Sequence, residues 1–395
     1  MSQLATAFPA VLSDKTPLAV VDKIKFMTHV NEEHQDELAL FIEAFTDDAV
    51  ADDRVAQVAD VYTDGVLLIS QSVTAPLVMS APSPLSQSAQ PEDSADSDEE
   101  DAIEQYFIAF ENKIAGDITL KSQYILLLQS ASKKLGKLAI KLQERQFTVT
   151  DSYYASPSLY RMVVTAPADT PLDHPGYAYL FDVYADLADE QVALIAKNKG
   201  DKLQRYYTLR KAWQDPQTQQ VHAWVDAYIH GSTPGGDWAL RQQAGMTLNS
   251  VRDYPEKIAH LSTGQCLLIC DETSLPTVAN LLETWQNPVA PVVIAVTNDP
   301  EELAYLHAVE LNEPLAQRQG FKTDNIITIV NKPEVDLTDT IMGLIDTHPA
   351  LVNLTVEKVW GALEAQDAKT LRRQLKTSLQ LSRQDLVLKV YWRAQ

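Results

Sequence analysis

From Gly264 onward, short apolar runs alternate with stretches of helical periodicity, and no other feature of the sequence narrows the fold as far. The runs 266–270, 292–296, 326–330, 356–360 and 386–391 read as strands. Between them, 275–285, 301–306, 337–345 and 367–379 repeat apolar residues at spacings of three and four. Strands separated by helices can lie side by side only in a mostly parallel sheet with the helices on its faces. Pro276 and Pro300 follow Thr273-Ser274 and Asn298-Asp299, which is where proline is tolerated in a first helical turn behind a capping residue.

Upstream the texture is different. Phe147, Val149, Tyr153, Tyr160, Met162 and Val164 fall in runs separated by Ser156-Pro157 and Ala166-Pro167. Further β-like runs follow at 183–184, 192–195, around Arg205 and at 223–229, and this spacing predicts a small antiparallel barrel. The N-terminal part predicts a helix over 22–45 with Leu38, Phe41, Ile42 and Phe45 on one face. Strands at 58–62 and 66–70 are joined through Thr63-Asp64-Gly65, a third strand is expected at 106–110, and a helix at 122–138. The stretch 72–101 is rich in serine, proline, alanine and acids, with too little apolar surface to offset its chain entropy, and is expected to be a mobile insertion. The chain thus divides into a small α+β domain (1–142), a barrel (143–257) and an α/β parallel-sheet domain (258–395).

A formal charge of −22 argues against a nucleic-acid partner and against an anionic membrane surface, since both need clustered lysine and arginine. No apolar run approaches the length of a membrane span, and the N-terminus lacks a charged segment followed by an apolar one, so a cytoplasmic location is expected. The two cysteines, Cys266 and Cys270, are four residues apart in one expected strand. That puts them roughly 13 Å apart, beyond disulfide reach, as core thiols. No cysteine–histidine spacing suits a zinc site.

Arg205-Tyr206-Tyr207-Thr208-Leu209-Arg210 places Arg205 and Tyr207 on one face of a strand, with Thr208 and Arg210 on the other. Beside a flavin, such a strand can hold a phosphate with its guanidinium, lay a phenol ring on the isoalloxazine and set a hydroxyl near the reactive nitrogen. An ordinary amphipathic strand has the same pattern. Lys197, Lys199 and Lys202, with Arg210, make this stretch basic inside an acidic chain, which favours a fixed anion site. Gly235-Gly236, ahead of a helix start, can bring backbone amides close to a pyrophosphate.

Taken in order, this strand, His230-Gly231, Gly235-Gly236-Asp237-Trp238-Ala239, Cys270-Asp271-Glu272-Thr273 and Tyr391-Trp392-Arg393 resemble the siderophore-interacting protein family, over residues 143–395. The resemblance implies a ferredoxin-reductase-like, multi-domain fold with an antiparallel β-barrel flavin domain and an α/β nucleotide domain. It also implies a ferric-siderophore reductase that moves electrons from NAD(P)H through FAD to iron. On it, Arg205, Tyr207, Thr208, His230, Gly231, Gly235, Gly236, Trp238, Asp271, Glu272, Thr273 and Trp392 face the cofactors. Lys197, Lys199, Lys202, Arg210 and Arg393 face a ferric siderophore. Because the flavin carries the chemistry, no side chain is needed as acid, base or nucleophile. The chain departs from the family where Cys270 replaces a glycine and where Pro234 precedes the glycines. NADH is expected over NADPH because Asp299, Glu301 and Glu302 follow the second α/β strand with no base among them. Capping of the next helix explains the same acids. The N-terminal domain resembles the small domain of haem-utilisation split-barrel proteins around Asn31-Glu32-Glu33-His34, with His34 either a haem ligand or a locally packed side chain. A haem- or siderophore-binding protein without turnover is the alternative.

Overall fold

The computed structural model describes residues 15–51, 54–72, 103–136, 143–184, 204–311, 326–332 and 334–394. The chain forms two compact units, Met1–Ile140 and Lys141–Gln395. The expected insertion, beyond Ser72, lies outside the described residues, as do the run 192–195 and Lys197, Lys199 and Lys202.

In the first unit, helices α1 (Val20–Glu33) and α2 (Gln35–Phe45) precede an antiparallel sheet of β1 (Arg54–Tyr62), β2 (Gly65–Ser72) and β3 (Glu104–Ala109), followed by α3 (Leu120–Lys134). The single helix expected over 22–45 is broken at His34, whose φ is −127°. The break has a tertiary cause: the Asn31 side chain donates to Val58 O (3.0 Å) and accepts from Val58 N (2.7 Å), which fixes the end of α1 against β1. His34 Nδ1 lies 3.2 Å from Glu37 Oε1, and Tyr124 donates to the other oxygen of that buried carboxylate at 2.8 Å.

The second unit opens with a closed barrel of β4 (Arg145–Tyr154), β5 (Leu159–Ala166), β6 (Ala178–Asp182), β7 (Gln204–Gln214), β8 (Val221–Tyr228) and β9 (Thr247–Tyr254), in the order β4-β5-β8-β7-β6-β9. Strand β9 was not legible in the sequence. Leu248 and Val251 are its only aliphatic residues, yet it pairs with β4 on one side and β6 on the other and so closes the barrel. Helix α4 (Pro234–Arg241) contributes Trp238 and Ala239 to the barrel core, beside Phe147, Phe181 and Leu248.

The parallel sheet follows: β10 (Cys266–Cys270), α5 (Leu275–Glu283), β11 (Val292–Thr297), a 3-10 turn (Pro300–Leu303) into α6 (Ala304–His307), β12 (Ile327–Val330), α7 (Leu337–Thr347), β13 (Lys358–Glu364), α8 (Ala365–Leu379) and β14 (Leu386–Trp392). All pairings are parallel, in the order β12-β11-β10-β13-β14. Alternation along central β10 sends Cys266, Leu268 and Cys270 into a core with Leu275, Val278 and Trp360, and Leu267 and Ile269 into another with Ile341, Leu371 and Leu375. A strand buried on both faces reads as an unbroken apolar run, which is why β10 was found to the residue. Both thiols are free and buried, and burial pushes Cys266 up to about 11.

Polar contacts join the barrel to the sheet. Arg161 makes a two-pronged pair with Asp226 (2.8 and 2.7 Å), and Tyr305 donates to the same carboxylate at 2.5 Å. Arg210 holds Glu283 with both terminal nitrogens, at 2.9 and 2.8 Å. Glu302, fully buried, accepts from Ser156 Oγ (2.5 Å) and from Ser158 N.

Candidate cofactor site

The C-terminal edge of a parallel sheet collects the residues that follow each strand, and here those residues are polar and linked. Asp271 and Glu272 follow β10, Asn298 follows β11, Asn331 follows β12, and Trp392 ends β14. One Asp271 oxygen accepts from Thr273 N (3.0 Å) and Thr273 Oγ1 (2.6 Å). The other accepts from Trp392 Nε1 at 2.7 Å, which ties the first strand of this sheet to its last. Glu272 accepts from Asn298 N (2.5 Å) and Asn298 Nδ2 (2.9 Å), and Asn331 Nδ2 donates onward to Asn298 Oδ1 at 3.3 Å. Burial raises both acids above the ordinary carboxylate range, while the hydrogen bonds they accept pull in the opposite sense.

The barrel supplies an aromatic wall to this edge. Tyr228, the last residue of β8, stacks on His230 at 5.0 Å between ring centroids, and His230 lies 5.9 Å from Trp392. Asn298 Nδ2 reaches the Tyr228 hydroxyl at 3.3 Å, and burial pushes that phenol up to about 12. Neither Tyr228 nor Asn331 was singled out in the sequence, and Asn298 was read there only as a capping residue. A signal existed for Asn298, which stands after β11 as Asp271 stands after β10.

A second group forms where β7 meets α4. A Cβ on Gly235 would lie 2.4 Å from the Tyr207 hydroxyl and 3.8 Å from Arg205 Cγ, so only glycine lets the helix start approach this strand. Thr233 caps the helix by accepting from Gly236 N at 3.2 Å. Tyr207 lies on Trp238 at 5.2 Å with 24° between the rings. Thr208 is buried on the opposite face of β7. An arginine whose stem lies beside the first turn of a glycine-led helix offers donor chemistry suited to a phosphate, and with the adjoining phenol it fits one end of a dinucleotide such as FAD.

Two expected contacts are corrected by this geometry. Arg210 does not face a substrate: it is 4% exposed and committed to Glu283, because the outward face of β7 packs on α5 at this point. Trp238 is 2% exposed and backs the Tyr207 ring from within the barrel core. Of the acids after β11, Glu302 is turned into the seam, Asp299 caps the 3-10 turn by accepting from Glu301 N (2.9 Å), and Glu301 is exposed. Ser274 does not cap α5 with its side chain, which instead donates to Ala362 O at 2.7 Å. His230, Gly231 and Arg393 are exposed.

Residues 263–395 match the model of the siderophore-interacting protein family. Among solved structures, the chain is similar to the siderophore-interacting protein SipS from Aeromonas hydrophila, with 18% identity, TM-score 0.47, and coverage of 64% of this chain and 92% of that one. It is also similar to a siderophore utilization protein from T. fusca, with 21% identity, TM-score 0.44, and coverage of 65% and 95%. A phthalate dioxygenase reductase is similar at 12% identity and TM-score 0.39, covering 62% and 67%. None of the curated proteins matches.

Proposed function

From the match of residues 263–395 to the siderophore-interacting protein family, we propose that the chain is an FAD-dependent oxidoreductase taking electrons from NAD(P)H and passing them singly to siderophore-bound Fe(III). The observation that carries this reading is the corner where Arg205, Tyr207 and the Gly235 helix start converge, on a barrel joined to a parallel sheet. When bound, FAD supplies the conversion of a hydride into single electrons.

The chain's own residues would bind, orient and shield. Arg205 and the first turn of α4 would hold the pyrophosphate. Tyr207 and Trp392 would keep water from the ring system. Asp271, Glu272 and Thr273 would face the nicotinamide nucleotide, with Asn298 beside them. NADH is the proposed donor, supported by the exposed Glu301 and by the lack of any base among residues 297–302. The test is the purified protein itself: flavin absorbance in about one equivalent, bleached by NADH faster than by NADPH and restored by a ferric chelate. Colourless protein that takes up no added FAD would refute the reading.

Two expected results follow for the substrate side. Arg393→Ala should weaken an anionic ferric siderophore more than a neutral one, with the difference shrinking as salt rises, since an exposed charge acts through a screened field. Equal losses for both ligands would assign Arg393 a packing role. Removing residues 72–101 should leave steady-state reduction of a ferric chelate unchanged, because their composition supports no core. A large loss from a folded deletion variant would make the acidic run functional.

A further inference from the structure

Five residues apart on one continuous helix, two side chains point about 140° away from each other, since each residue turns the helix by about 100°. His29 and His34 are five apart, yet their rings lie edge to face with 5.0 Å between centroids. The break between α1 and α2 brings them together. His34 leaves helical geometry at φ −127°, and Asn31, hydrogen-bonded through both of its polar side-chain atoms to the Val58 backbone, fixes the chain between the two histidines. Had one helix run on over 22–45, as its periodicity predicts, the two imidazoles would not meet.

A carboxylate stands behind one of the rings. Glu37 Oε1 lies 3.2 Å from His34 Nδ1, and Glu37 is 3% exposed. Its other oxygen accepts from the Tyr124 hydroxyl at 2.8 Å. Tyr124 is itself packed edge to face on Phe26 of α1 at 5.3 Å and on Phe41 of α2 at 5.2 Å, so the carboxylate is held from three helices. A buried acid placed in this way orients an imidazole and keeps Nδ1 turned to the protein, which leaves Nε2, on the far side of the ring, as the ligating nitrogen. The His34 side chain is 33% exposed and His29 is exposed, so an ion from solvent can reach both rings.

We propose that His29 and His34 form a binding site for a divalent transition-metal ion of the zinc type, with Glu37 as a positioning residue that holds His34 and does not touch the ion. Two imidazoles on one tetrahedral ion, each bound through nitrogen at about 2 Å, have ring centroids about 5 Å apart, which is the separation the helix break creates. Nitrogen ligands select this class of ion over magnesium and calcium, which take oxygen. Among the described residues no group of three or more histidine, cysteine, aspartate and glutamate side chains could hold a metal ion, so water fills the remaining positions and the ion exchanges with solvent. The site lies in the Met1–Ile140 unit and does not depend on the function proposed above for the flavin-binding part of the chain.

The experiment titrates the purified full chain with Co(II), as the spectroscopic probe, and with Zn(II), as its competitor. One equivalent of Co(II) should bind with the intense visible bands of four-coordinate cobalt and be displaced by Zn(II). His29→Ala and His34→Ala should each abolish that step, whereas His307→Ala, which alters an exposed histidine elsewhere, should leave it unchanged. Glu37→Gln keeps both ligands and should weaken binding by about 10- to 100-fold, the usual effect of losing a group that orients a metal-bound imidazole. Zn(II) should also raise the unfolding temperature of the wild type and not that of His29→Ala, because an ion that binds only the folded chain stabilises it. If His34→Ala or Glu37→Gln fails to fold, His29→Ala, an exposed change on α1, still decides the matter. Wild-type affinity in a folded His29→Ala, or a wild type that binds neither ion, overturns the site. Undiminished affinity in a folded Glu37→Gln overturns the positioning role. Haemin in the same buffer is the last arm: a Soret shift that needs His34 and not His29, with no Co(II) bound, assigns His34 to haem and overturns the proposal.

Discussion

Asp226→Ala is expected to destabilise the Lys141–Gln395 unit by about 3–5 kcal/mol, the scale for removing one partner of a buried ion pair. For a unit of this size, that corresponds to a fall in Tm of roughly 6–20 °C. The Asp226 side chain is fully buried and receives Arg161 in a two-pronged contact together with the Tyr305 hydroxyl. Burial opposes the charge on Arg161, and the hydrogen bonds and field of Asp226 outweigh it, so the arginine stays charged below the Trp224 ring at 4.0 Å. Alanine at 226 strands that charge and leaves the tyrosine hydroxyl without its acceptor. Exchanging Arg161 and Asp226 together for methionine and leucine should cost far less, because the desolvation penalty disappears along with the attraction. Urea unfolding of the single and double variants measures both quantities. A single-variant loss below about 1 kcal/mol would mean that water reaches the pair.

Arg205→Ala should weaken FAD binding by about 2–3 kcal/mol, or roughly 30- to 150-fold, the cost of losing charge-assisted hydrogen bonds to a phosphate. The guanidinium donates to Gln204 O at 3.0 Å, which sets its direction along the start of β7. Alanine at 205 removes the charge and the stem but keeps the closer approach of Tyr207 to Gly235, so stability should change little. Fluorescence titration of flavin into apoprotein reads the affinity. Full flavin occupancy in the variant after dialysis would move the pyrophosphate away from this corner. A matching loss in Gly235→Ala, where the new methyl meets the Tyr207 hydroxyl, would confirm that the two elements act as one cradle.

Element types and their order in the parallel sheet were legible from the residues alone. Strand β10 and the helices after it were legible because each is defined by neighbours a few residues away, through periodicity and through proline behind a capping residue. The parallel order also accounts for Asp271 and Trp392 lying on one sheet edge: parallel strands share a direction, so their ends fall on the same side. Contacts between distant segments became visible only in the folded chain. It closed the barrel with β9, whose polar sequence carries little signal of its own because pairing on both sides holds it. It broke the first helix at His34, since the decisive partner, Val58, stands on another element. It turned Arg210 from an expected anion contact into a buried pair with Glu283, 73 residues away, and it set Glu256 beside Tyr391, 135 residues on. A charge or a carboxylate has the same letter in solvent as in a seam, and burial, which sets its role, is a property of the folded neighbours.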